Sequence, residues 1–184
     1  MSIRPQLETT ILRSVSRSFY VSIRFLPAQL REPIALAYLL ARTTDTVADT
    51  AKISRSVRTE TLKMLADGIQ GKASREVVVD LITSFVPLQE NESERQLLES
   101  LPDCLAWLEQ MEQTDRTDIR VVLEKIAHGQ MLDLQRFDPP TDGFAVVNIE
   151  GQSGRRLARA RHSSKRFNAM ASRATASLLA YNVA

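Results

Sequence analysis

The chain of 184 residues has one cysteine, two histidines and six glycines, and aromatic side chains make up only 5% of it. A single thiol, Cys104, excludes an internal disulfide framework and a cysteine-cluster zinc site, and it suits a reducing compartment. His128 and His162 stand too far apart in context to suggest a metal pair. The longest unbroken apolar run, residues 34–41, falls far short of the roughly 20 residues needed to cross a bilayer. The opening Met1-Ser-Ile-Arg-Pro-Gln lacks the apolar stretch of an export signal. The expectation is a cytoplasmic protein with at most peripheral membrane contact.

What is present is a globular composition: 43% hydrophobic and 25% charged residues, enough for one sizeable core. The net charge of +2 hides an asymmetry. Residues 1–140 hold 17 basic and 20 acidic side chains, net −3, whereas residues 141–184 hold 7 and 2, net +5. Pro139-Pro140 sits on that break, which predicts a domain over 1–140 and a separate basic Arg/Ala/Ser-rich tail over 141–184. The tail offers only Phe167 and Tyr181 for stacking, so nucleic-acid binding through it would be nonspecific and salt-sensitive.

Before Pro139 the apolar period is helical. Leu7, Ile11, Leu12, Val15 and Phe19 recur at spacings of three and four. A second helix is predicted over about 28–50, with Pro33 in its early turns. Ser54, Ser74 and Ser93 are expected to cap three more, the last carrying Leu97, Leu98, Leu101, Leu105 and Leu108. Gly71 and Pro87 should end the first two of these. A long run follows from Thr114 or Asp115 and must stop at Pro139. Only the short Val77-Val-Val79 hints at a strand. The fold class predicted is all-α. Cys104, Trp107 and the methionines are expected in the core.

Tyr38, Arg42, Asp45 and Asp49 are spaced 4, 3 and 4, so they project from one face of the second helix. Two carboxylates at i,i+4 repel, and a negative charge near a helix C-terminus opposes the helix dipole. A divalent cation relieves both, since Mg²⁺ is commonly held by one or two carboxylates plus substrate phosphates. Arg42 is then placed to hold phosphate oxygens in bidentate fashion. Taken alone, D-x-x-x-D is also what a solvated helix face carries by chance. The neighbouring residues 36–41 are apolar enough to be core, however, and a buried charge without a partner is very costly. Ser14-Val-Ser16-Arg17-Ser18-Phe19-Tyr20 sets hydroxyls either side of an arginine at the end of a helical stretch. Such groups suit a diphosphate, and equally an ordinary helix terminus.

Together, Ser16-Arg-Ser-Phe19 and Tyr38-Leu-Leu-Ala-Arg42-Thr-Thr-Asp45-Thr-Val-Ala-Asp49 resemble the squalene/phytoene synthase family, in order and in spacing. Residues 126–137, Ile-Ala-His-Gly-Gln-Met-Leu-Asp-Leu-Gln-Arg-Phe, resemble the family's central helix, and the likeness spans roughly residues 5–138. It implies an isoprenoid synthase-type helical bundle with an apolar cavity, and a transferase that condenses two prenyl diphosphates head to head. It further implies that Asp45 and Asp49 bind Mg²⁺, and that Ser16, Arg17, Ser18 and Arg42 contact the diphosphate. By the same likeness Phe19 packs on the prenyl chain, Tyr38 lies near the reacting carbons, and Asp133 faces the site. The wording Asp-Thr-Val-Ala-Asp leans towards a squalene-type enzyme using farnesyl diphosphate, in which case NADPH would serve the reduction. Phytoene synthesis from geranylgeranyl diphosphate is the alternative.

One family feature is missing. No N-x-x-x-D follows: Asn148 is followed four residues on by Gln152, Asn168 by Ser172, and two prolines separate Asp138 from Asp142. The bundle is therefore expected to be incomplete at its C-terminus, with residues 141–184 either out of frame or disordered, or else a genuine variant ending. A non-catalytic helical protein that binds a partner or a second copy of itself is the rival reading, because an unfilled apolar face favours association.

Overall fold

The computed structural model describes residues 7–137, and no strand occurs among them. A π-helical turn, Leu7–Ile11, runs into α1 (Leu12–Val15), followed by α2 (Arg17–Arg24), α3 (Ala28–Asp49), α4 (Arg55–Ile69) and α5 (Arg75–Thr83). After a 3₁₀ turn at Val86–Leu88 come α6 (Glu92–Glu99), α7 (Leu101–Gln110) and α8 (Gln113–Phe137). The all-α expectation holds. The expected boundary after Pro140 and the character of residues 141–184 lie outside the described residues. No helix among the described residues is long and apolar enough to cross a membrane.

The long helix α3 is the centre of the bundle. It packs most extensively on α8, and also on α2, α4, α6 and α7. Leu36, Leu39, Leu40 and Val47 of α3 are fully buried, as are Leu62 and Leu65 of α4, Leu97 of α6 and Leu101 and Cys104 of α7, while Leu123 of α8 is nearly so. Each such leucine stabilises the fold by roughly 2 kcal/mol relative to exposure. Burial pushes the Cys104 thiol up to about 12, so the group behaves as a small hydrophobe. Trp107 is core as expected, and its indole N–H donates to Glu32 Oε1 at 2.7 Å.

Local chemistry explains where the helices start and stop, and where the periodicity misleads. The apolar run 7–19 is not one stretch: Ser16 is extended (φ −160°, ψ 102°) and divides α1 from α2. The cap of α6 is Asn91, whose side chain accepts from the Ser93 N–H at 2.8 Å, in place of Ser93. The leucine run 97–108 breaks at Ser100, because Pro102 suits only the first turn of a new helix. Pro33 lies in the second turn of α3, where it removes a backbone bond that the first turn would not have made. The Val77-Val-Val79 run is helical within α5. Gly71 does end α4: at φ +74° it lets Lys72 N–H reach Asp67 C=O at 2.8 Å, while its own N–H reaches Gly68 C=O at 3.0 Å.

Candidate active site

Thr43, Thr44 and Thr46 are poor helix formers, yet α3 runs through them to Asp49, with a fourth threonine, Thr50, as its C-cap. Three of their four hydroxyls bond back to helix carbonyls, and that of Thr46 is buried without a hydrogen-bond partner. Thr43 donates to Leu39 C=O at 2.9 Å, Thr44 to Ala41 C=O at 2.7 Å and Thr50 to Thr46 C=O at 2.7 Å. Arg58 of α4, itself buried, donates to Ala48 C=O at 2.8 Å and so secures the C-terminal end of α3. The helix therefore keeps Tyr38, Arg42, Asp45 and Asp49 in one row. Burial is uneven along that row. Tyr38 is buried, the Arg42 side chain is 32% exposed, that of Asp45 is 12% exposed, and Asp49 is exposed.

The break at Ser16 brings the other motif to the same place. Ser16 Oγ accepts from the Phe19 N–H at 3.3 Å and caps α2, so this serine begins a helix where the sequence pointed to the end of one. The Phe19 ring then stacks on Tyr38, with centroids 4.0 Å apart and planes inclined by 19°. Burial pushes the Tyr38 phenol up; a hydrogen bond with Ser16 and the charge of Arg42 oppose that rise, and Asp45 adds to it. Ser16, Phe19, Tyr38, Arg42 and Asp45 thus form one constellation. Arg17 and Ser18 are exposed in the first turn of α2.

Two further partners come from α8 and α6. Gln130 of α8 donates to Asp45 Oδ1 at 2.6 Å, while its own amide oxygen is buried with no hydrogen-bond partner. Glu94 of α6 accepts from Arg42 Nη2 at 2.9 Å, while Arg42 Nη1 stands 3.9 Å from Asp45 Oδ2. Glu94 carries no local sequence signal, and Gln130 lies in the segment 126–137 that resembles the family's central helix, with nothing there to show that it meets Asp45. Only the packing of α6 and α8 on α3 brings them in. Burial pushes the Asp45 carboxyl up to about 6, with Asp49 acting in the same direction and Arg42 and Gln130 against it. Asp133, on the same helix as Gln130, is half-buried.

Asp45 is partly desolvated and accepts from the Gln130 amide nitrogen, and the oxygen of that amide is left without a partner. No group of three or more His, Cys, Asp or Glu side chains among the described residues is arranged to hold a metal. Asp45 and Asp49 alone could hold a cation only with further ligands supplied from outside the chain.

Residues 12–143 match the family model described as squalene/phytoene synthase. The chain is also 42% identical over 65 residues to squalene synthase BSS of Botryococcus braunii, a match covering 35% of this chain and 14% of that protein. No solved structure matches the chain.

Proposed function

The chain belongs to the squalene/phytoene synthase family, and from that premise we propose that the face of α3 receives the diphosphate of an allylic prenyl diphosphate in a head-to-head condensation. The single observation that carries this reading is the convergence of Ser16, Phe19, Tyr38, Arg42 and Asp45, from two separate motifs, onto one face. Farnesyl diphosphate is the preferred substrate. The Asp-Thr-Val-Ala-Asp wording of the motif supports it, as does likeness to a protein named as a squalene synthase.

The residues present fit a divalent cation. Asp45 and Asp49 would hold Mg²⁺, with the orphaned oxygen of Gln130 nearby to complete a polar surround. When bound, the ion would neutralise the departing diphosphate so that the allylic C–O bond can ionise. Arg42 contributes N–H donors to the diphosphate oxygens. The stacked Phe19 and Tyr38 rings form an apolar wall for the first carbons of the prenyl chain and exclude water from them. Ser16 fixes both rings by capping α2 and bonding Tyr38. NADPH, for reduction to squalene, would bind outside these residues. The second acidic motif, N-x-x-x-D, does not occur in this sequence, so the proposed role of this chain is Mg²⁺-dependent diphosphate binding.

Melting the full chain with Mg²⁺ and a non-ionisable farnesyl thiodiphosphate should raise the transition temperature, and neither component alone should match that shift. Asp45→Ala should abolish it, and a geranylgeranyl analogue should give a smaller one. A wild-type chain indifferent to Mg²⁺ plus the analogue would refute the reading. One observation favours a second reading, that of a non-catalytic partner-binding helix bundle. Phe25, 85% exposed, and Val21, 52% exposed, lie one turn apart at the C-terminal end of α2. That reading predicts a hydrodynamic size that rises with concentration and does not respond to Mg²⁺.

A further inference from the structure

Glu94 sits in the first turn of α6, where a negative charge suits the helix dipole. Asn91 already caps that helix through the Ser93 N–H, so the Glu94 carboxylate is not needed there. It reaches Arg42 on α3 instead, 52 residues earlier in the chain. Both partners are about a third exposed (32% for Arg42 and 27% for Glu94), and a pair so solvated adds little to stability. Its effect lies in where it puts the guanidinium.

At i,i+3 on one helix, Arg42 and Asp45 are spaced to close into a direct ion pair. They make only a loose pair, without a hydrogen bond: the gap is 3.9 Å, against 2.9 Å to Glu94. Gln130 already occupies Asp45 Oδ1. Were Arg42 to close on Oδ2, both oxygens of Asp45 would be engaged, and a cation would have to displace one donor. We infer that Glu94 is a positioning residue that holds Arg42 off Asp45 and so keeps Oδ2 open to a divalent cation. This rests on the reading that Asp45 receives that cation.

Mn²⁺ titrated into the full chain, followed by the electron paramagnetic resonance of the unbound ion, tests it. Glu94→Ala should weaken Mn²⁺ binding by roughly tenfold, the scale of coupling between contacting charged groups. Glu94→Gln keeps an acceptor for Arg42 and should retain most of the affinity. The double variant Glu94→Ala/Arg42→Ala should recover it, since no guanidinium remains to close on Asp45. Equal loss in Glu94→Gln and Glu94→Ala would mean that charge alone matters and would overturn the inference. So would a Glu94→Ala variant that binds like the wild type, or a double variant that recovers nothing. The underlying reading is checked separately by Asp45→Asn. A wild-type chain with no Mn²⁺ site sensitive to that substitution removes the cation site, and the positioning role with it.

Discussion

At the scale of single residues, Asp45 carries a cost that explains the site. Its carboxyl titrates near 6 in the folded chain, against an ordinary 3.8, chiefly because it is buried. A raised carboxyl pKa means that folding favours the protonated form. Its contribution to stability is complete below about 3.8 and is lost as the pH rises to about 6. Asp45→Asn should therefore stabilise the metal-free chain at pH 7 by up to about 3 kcal/mol, the equivalent of two pKa units. Urea unfolding should show that gain shrinking towards nothing below pH 4. The same substitution should abolish the response to Mg²⁺, because an amide is a far poorer ligand for a hard cation. Stability and binding are opposed at this one side chain. The segment that holds Gln130 was legible in the sequence, but its contact with Asp45, which opposes the pKa rise, was not. Nothing about a glutamine on a long helix shows that it will meet an aspartate 85 positions earlier.

Among the helices, the interruption at Ser16 decides the most. It converts an apolar run that would otherwise read as one helix into two, and it aims Phe19 at Tyr38. Ser16→Ala removes both the cap and the bond to Tyr38. It should lower stability by about 1 kcal/mol and weaken the stacked aromatic signal in near-ultraviolet circular dichroism. Two helical glycines should respond in opposite senses. A Cβ on Gly68 would come within 2.6 Å of Val78 Cγ2, so Gly68→Ala must push α4 and α5 apart. A Cβ on Gly129 meets nothing within 4 Å, so Gly129→Ala should stabilise α8 by about 0.5–1 kcal/mol. Thermal melts of the two variants check both signs. Both glycines lie inside helices, and only the close approach of α5 to Gly68 separates them.

Across the whole molecule, α3 is both the structural centre and the carrier of the site. Leu36 is fully buried on it, so Leu36→Ala should cost about 2–5 kcal/mol and loosen the row that presents Tyr38, Arg42 and Asp45. Phe25→Ser, at a side chain that is 85% exposed, should change stability by no more than about 0.5 kcal/mol. Denaturant unfolding of both variants tests this contrast between centre and edge. If the exposed Val21–Phe25 face joins two copies, Phe25→Ser should also abolish any concentration dependence of size in sedimentation.

Helix content, the span of α3, the end of α4 at Gly71 and the shared face of Tyr38, Arg42, Asp45 and Asp49 were all legible in the sequence. Each depends on spacing along one helix or on the backbone freedom of one residue, and those are local properties. The two motifs could also be paired from their order and wording. What the tertiary structure decided is how far each of those residues is withdrawn from water and what stands beside it. Tyr38 and Asp45 are withdrawn from water, while Arg42 and Asp49 on the same row are left more open to it. The packing of α8 and α6 on α3 sets Gln130 and Glu94 against Asp45 and Arg42. Long-range contacts of that kind arise from how helices nest, which no periodicity in the chain records.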